Sequence, residues 1–304
     1  MNRYGELAAF GTAVCWTASA IFFERASKRV GALAVNFYKV VAAFFLLALA
    51  GFAFRGMPLP FDAPAKAWIY LPISGVIGFV IADYFLFNAY ILVGSRLTIL
   101  FQPLTPLFAA LLGFLILGER MKPAGLVGMG VVVSGILIVV LSRNAGAKSG
   151  ERRPARPGGA AAKGLAFAFA SAFFQAVGLV FSKLGLGGYD AISGTQIRVG
   201  TAVLGFALQA LLFRQARELW VEAPRDRAAM KSTAIGAVFG PFIGVSLSLF
   251  ALQSTSAGAA STLMGLTPVL IILPSIFVLK QKVKPLEVVG AFVAVAGAAL
   301  FFLL

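Results

Sequence analysis

Two stretches of this chain are copies of one another. Residues 104–142 and 266–304 align without a gap at an offset of 162, and 13 of the 39 pairs are identical: Leu104, Thr105, Pro106, Leu111, Leu117, Lys122, Pro123, Val127, Gly128, Val131, Val133, Gly135 and Leu141 match their partners. Chance would match about one position in ten at a biased composition, so the chain holds an internal repeat. Toward the front of each half the likeness is weaker, at an offset of 159, where Phe22 pairs with Phe181 and Lys39 with Arg198.

The repeat becomes a topology once the solvent is known. Hydrophobic residues make up 60% of the 304 and charged residues 12%, against roughly 25% charged in a soluble domain. So little charge cannot cover a water-soluble surface, and the bilayer is the expected solvent. Ten continuous apolar runs lie near 5–23, 33–54, 67–92, 95–117, 123–141, 163–183, 190–213, 231–252, 256–279 and 283–304. Each is long enough for a spanning helix, which needs about 20 apolar residues; the short alternating segments of a barrel are not seen. Five runs fall in each half, and five is odd, so the second half enters the membrane from the opposite face. The expected fold is an all-α integral membrane protein. It has ten transmembrane helices, arranged as two inverted five-helix repeats around a central cavity, a signature of secondary transporters. The repeats cover residues 1–141 and 163–304, with a basic Gly/Pro-rich linker over 142–162.

A net charge of +15 does not imply a nucleic-acid partner, because the basic residues sit between apolar runs. Counted loop by loop, six Lys/Arg fall on the face of the N-terminus, eighteen on the other, and Lys39 and Arg198 inside spans. The richer face is expected in the cytoplasm, which puts both termini on the periplasmic side of an inner membrane. The chain has no histidine and one cysteine, Cys15, so no His-based metal site, triad or proton relay is open to it, and no cofactor is expected. The first span lacks a cleavage pattern and reads as a permanent helix. The partners expected are a small-molecule substrate and membrane lipid, with the protein a monomer or weak dimer.

The candidate functional residues are the oddities inside the spans. Pro106 and Pro268 fall midway along the fourth and ninth runs, where a missing N–H and a crowded carbonyl bend a helix. Thr105 and Thr267 beside them are placed to bond back to the backbone. The bends are either packing kinks or points that widen the centre and let helices rock. Small residues at Gly236, Gly240 and Gly244, and at Ser74, Gly78 and Ala82, let backbones approach. Asp83 is the one carboxylate well inside a run, and Lys39 reaches a similar depth; either buried alone costs roughly 2.5–3.5 kcal/mol. They are expected to form a static salt bridge or a proton-responsive gating pair, with Arg198 as the matching gate element near the other face, although Lys39 could instead snorkel to the interface. Glu24 and its repeat mate Lys183 read as helix-end residues. Trp16, Tyr38, Tyr84, Gln102, Gln175 and Ser246 lie at interior depths and are the candidates for substrate binding in an apolar pocket with a few polar groups.

The stretch "LTPLFAALLGFLILGERMKPAGLVGMGVVVSGILIVVL" resembles the proline-bearing span, short Leu-Gly-Glu turn and Gly-punctuated fifth span of the drug/metabolite transporter superfamily. Within it the chain is most similar to the ten-helix EamA-type carriers and, among those, to bacterial amino-acid exporters of the YddG type. The second half departs from the motif, with "LKQKVKP" where the Gly-Glu turn would stand, so a role for Glu119 has no counterpart near Gln281. The resemblance implies a central cavity between the repeats and export of amino acids and related metabolites. It also implies, for many members, termini in the cytoplasm, opposite to the charge count.

The expected function is export of small organic metabolites, foremost aromatic or other apolar amino acids, by alternating access. The alternative is a carrier of the same superfamily for another metabolite, a drug or a lipid-related compound. An enzyme is not expected, because acid–base groups are almost absent from the spans. A channel would need a charged or carbonyl filter that the sequence lacks.

Overall fold

In hydrocarbon a backbone N–H finds no water, so an apolar run must close its own hydrogen bonds, and a helix does this within one segment. The computed structural model describes residues 3–117, 123–147, 158–254 and 263–303. Among those residues it contains no strand. Helix α1 runs from Arg3 to Arg55 and contains the first two apolar runs. They are separated by a single residue, Gly31, at φ 80° and ψ 164°, where a polar loop was expected. A Cβ there would meet open space, so it is the positive φ, not crowding, that requires glycine. Gly94, at φ 84° and ψ 160°, makes the same turn between the third and fourth runs.

The third run is one rod made of α2 (Ala65–Gly75), a π-helical segment (Val76–Ile81) and α3 (Ala82–Val93). After α4 (Ser95–Leu100) and α5 (Leu104–Leu117) come α6 (Pro123–Ala147), α7 (Gly158–Leu186) and α8 (Ala191–Leu212). The eighth run repeats the third, with α9 (Arg227–Ala237), a π segment (Val238–Gly244) and α10 (Val245–Ser254). Adding 162 to 76 gives 238, so the two π segments begin at equivalent positions of the two halves. Then follow α11 (Thr267–Leu270), α12 (Ile272–Phe277) and α13 (Pro285–Leu303).

The Leu-Thr-Pro elements are not bends in the middle of continuous helices. In the first half the helix stops at Leu100, turns through 101–103 and restarts at Leu104, so Pro106 falls in the first turn of α5. In the second, Pro268 falls in the first turn of α11. The missing N–H of proline is harmless there, because the first turn has no intrahelical acceptor for it. Thr267 Oγ1 donates to Met264 O at 2.9 Å, but Thr105 Oγ1 is buried with no hydrogen-bond partner. The side chain of Pro106 lies outside the described residues.

Polar and apolar side chains are distributed inside out. Thr12, Ser19, Ser74, Thr98, Ser171 and Thr233 are buried, while Phe45, Phe54, Leu204, Phe213 and Phe277 are exposed. That pattern suits a lipid surround, where tight packing of small residues replaces the hydrophobic effect. Four helical stretches, Tyr4–Arg55, Ala65–Val93, Gly159–Leu186 and Ile192–Leu212, are long and apolar enough to cross a membrane. The chain is a multi-pass membrane protein.

Glycine seams join the halves, and the contacts are reciprocal. A Cβ on Gly135 of α6 would lie 2.6 Å from Gly290 O of α13, and one on Gly297 would lie 2.9 Å from Gly128 O. Gly297 is the copy of Gly135, and Gly290 the copy of Gly128. A Cβ on Gly78 would come within 3.3 Å of Gly178, and one on its copy Gly240 within 3.1 Å of Ser19. Ser19 is the position equivalent to Gly178 at the offset of 159.

Candidate functional site

Lys39 and Asp83 meet. Lys39 Nζ donates to Asp83 Oδ2 at 2.6 Å, and both side chains are buried. The π segment of the third run ends just before α3, and Asp83 is the second residue of that helix. Asn36 Nδ2 donates to the Asp83 carbonyl at 3.2 Å, fixing the first helix pair against the third run. The ammonium also lies 4.2 Å from the centre of the Phe87 ring and 5.6 Å from that of Phe23. A charge pair in such a setting is held by geometry as much as by attraction, because each partner has given up water.

Arg198, the copy of Lys39, has a different environment. Its guanidinium carbon lies 4.9 Å from the centre of the Phe79 ring, and its Nε is buried with no hydrogen-bond partner. A Cβ on Gly78 would stand 3.3 Å from Arg198 Nη2, and one on Gly75 2.5 Å from the Arg198 carbonyl oxygen. The third run therefore passes both cations: Arg198 beside residues 75–79, at the start of the π segment, and Lys39 beside residues 83–87, just after it. The position equivalent to Asp83 in the second half is Val245.

The six candidates for substrate contact are dispersed. Trp16 is half-buried against the eighth run, where a Cβ on Gly244 would come within 2.8 Å of its indole Nε1. Tyr38 donates its hydroxyl to Leu219 O at 3.0 Å, in the short π-helical segment Glu218–Glu222 before α9. Tyr84 is exposed and lies near Phe85 and Phe167, with ring centres 5.4 and 6.3 Å away. Gln102 sits in the turn between α4 and α5 with Nε2 buried and unpartnered. Gln175, the copy of Trp16, donates to Ser171 Oγ at 3.2 Å. The side chain of Ser246, the copy of Tyr84, lies outside the described residues. A small recess does exist, lined by Arg96, Leu100, Val139, Pro268, Ile272 and Glu287. It lies at one end of the bundle, not among these six.

That end carries residues that the sequence reading passed over. Glu24 is not a solvated helix-end group: it is 1% exposed. Its carboxylate accepts from Ser95 N at 2.7 Å, from Ser95 Oγ and from Lys28 Nζ. It thus satisfies the first amide of α4 just after the Gly94 turn. Its copy, Lys183, has a side chain outside the described residues. Arg96 Nη2 pairs with Glu287 Oε2 at 3.1 Å, both buried. Both belong to runs that read as ending in water, and a charge near a span end gives no sequence signal of burial.

Ion pairs also tie the two ends of the bundle. Arg29 grips Asp226 with two bonds, Nε to Oδ2 at 2.8 Å and Nη2 to Oδ1 at 3.1 Å. Asp226 also caps α9 through Ala229 N at 3.0 Å. The hydrogen bond from Arg29, then those from the α9 amides, hold the Asp226 carboxyl below the usual carboxylate range. At the other end Arg55 reaches Asp62 and Ser193, and Asp190 lies 3.9 Å away. Tyr189 donates its hydroxyl to Asp62 Oδ1 at 2.8 Å, and this bond foremost lowers the Asp62 carboxyl. Among the described residues no three His, Cys, Asp or Glu side chains gather as metal ligands.

A sequence model described as the EamA-like transporter family matches residues 3–141 and again residues 162–303. No curated protein matches the chain. Among solved structures, one titled "Crystal structure of protein" superposes with a TM-score of 0.65 at 21% sequence identity. The match covers 100% of this chain and 98% of that one, a likeness that speaks to the fold.

Proposed function

The chain belongs to the EamA-like transporter family, and from that premise we propose that it is a secondary transporter of the drug/metabolite superfamily that exports small organic molecules by alternating access. Its substrates are amino acids, aromatic or otherwise apolar, as in exporters of the YddG type, and its membrane is the bacterial inner membrane. Membership as such makes it a transporter and not an enzyme.

The observation that carries the finer reading is the reciprocal packing of the halves. Gly135 on Gly290 and Gly297 on Gly128 are one contact made twice, as a two-fold relation between repeats requires. With five spans per repeat, such a two-fold supports the reading that the repeats are inverted. The ion pairs support the same span count. Arg29 with Asp226 and Arg96 with Glu287 each join loops or span ends that ten spans place on one face. Arg55 with Asp62 and Asp190 join loops of the other. The Lys/Arg bias puts the Arg29 face in the cytoplasm and both termini in the periplasm.

In this reading Lys39 and Asp83 are a coupling pair at the centre, Arg198 is the corresponding element of the second half, and the chain restarts at Thr105-Pro106 and Thr267-Pro268 are the points of rocking. Trp16, Tyr38, Tyr84, Gln102, Gln175 and Ser246 face substrate at some stage of the cycle.

The test is uptake of a labelled amino-acid panel into liposomes holding the purified protein, with and without a pH gradient. Transport of apolar amino acids is expected, and failure on every amino acid would overturn the substrate assignment. If Asp83→Asn leaves the pH dependence unchanged, proton coupling through the pair is wrong.

A further inference from the structure

The charges at the middle of the bundle do not cancel. Lys39, Asp83 and Arg198 sum to one positive charge, and Lys39 already holds the carboxylate at 2.6 Å. Arginine keeps its proton in a protein, so Arg198 cannot escape the cost of burial by turning neutral. Among the described residues no carboxylate pairs with it, and Nε has no acceptor. The Phe79 ring at 4.9 Å offers a partial counter-field, and the Asp83 carboxylate is engaged by Lys39. Neither fills the donors of a guanidinium, whose fork matches a carboxylate edge to edge. Gly78 presents no side chain where a Cβ would stand 3.3 Å from Nη2, and Arg198 is partly exposed.

We propose that Arg198 anchors a carboxylate of the transported molecule, so that the substrates are small carboxylates, amino acids included, and not amines. The assignment rests on the transporter reading and names the chemistry of its site. The incoming carboxylate does for Arg198 what Asp83 does for Lys39.

The test compares molecules that share an apolar group and differ in charge: L-phenylalanine, 3-phenylpropionate and phenethylamine, with L-leucine, isovalerate and isoamylamine as a second set. Binding is measured by titration calorimetry on the purified full chain, and flux separately in liposomes. The carboxylates are expected to bind at least about tenfold more tightly than the amines, the scale of one charge-assisted hydrogen-bonded contact. Arg198→Gln should erase that preference and Arg198→Lys should keep part of it. If Arg198→Gln does not fold, Gly78→Ala carries the test: it keeps the charge, crowds Nη2, and should weaken carboxylate binding alone. Equal binding of amines and carboxylates, no binding of any carboxylate in either set, or a preference that survives in both Arg198→Gln and Gly78→Ala overturns the proposal. Carboxylate binding without flux would instead sink the transporter reading and leave the anchor standing.

Discussion

Lys39 and Arg198 stand at the same place in two copies of one sequence, and they live differently. The first is closed off by Asp83 and two phenylalanine rings; among the described residues the second has one ring and no paired acid. Duplication supplied the same slot twice, and the third run, which passes both, carries the only carboxylate between them among the described residues. One half therefore resembles a finished structural element, the other an open valence. The difference shows that repeat symmetry in the backbone does not extend to the charges.

Single substitutions should separate the two sites. Asp83→Asn or Lys39→Met leaves a buried charge without its partner, and should lower stability by about 3–5 kcal/mol. The double change Lys39→Met with Asp83→Leu should recover most of that loss. Arg198→Met removes a charge that has no acid partner, and should leave stability within about 1 kcal/mol of the parent or above it. Thermal unfolding in detergent measures all four. A loss at Arg198 as large as that at Lys39 would mean the two sites are alike after all.

The glycine seam gives a contrast in the other direction, because there the halves are equal. Gly135→Ala and Gly297→Ala each push a Cβ into backbone, 2.4 Å from Ala294 N and 2.5 Å from Val132 N respectively. Each should cost about 1–3 kcal/mol, and the two costs should match. Gly130→Ala, which meets nothing within 4 Å, is the neutral control. Unequal losses in unfolding midpoint would break the reciprocity.

Glu24→Gln keeps the shape but removes the charge that caps α4 at Ser95, and should cost about 1 kcal/mol.

The smallest effect belongs to the loops. The folded Asp226 carboxyl is held below its ordinary value by Arg29, so its contribution is present above the unfolded value, about pH 4. It is lost as pH falls through the lower folded one. The unfolding midpoint should drop in that acid window in the parent and less in Asp226→Asn. Added salt should shrink the difference, since the pair is exposed.

The sequence could say that Lys39 and Asp83 reach one depth, because run length and position set depth. It could also say that the chain is helical and repeated. It could not say that Arg198 lacks an acid, since that depends on which face of the third run turns toward the seventh. Glu24 was misread for a related reason: its burial depends on the Gly94 turn folding back onto it, a contact 71 residues away. The proline elements were legible as interruptions, but whether a helix bends through a proline or stops and restarts ahead of it depends on the neighbouring turn. The aromatic and amide candidates share depth, not direction, and depth alone does not bring side chains together.

A π turn is an extra residue lodged in an α-helix, so Val76–Ile81 acts as a spelling change with a mechanical result. Were the same residues wound as a regular α-helix, with none removed, everything beyond them would turn by about 100° about the helix axis. Asp83 would then aim away from Lys39 while Gly75, upstream of the segment, stayed against Arg198. The copy at Val238–Gly244 holds the same lever for the second half. The choice between π and α winding in either place is thus a dial on which partner a side chain meets, and the chain has kept both dials at the same setting.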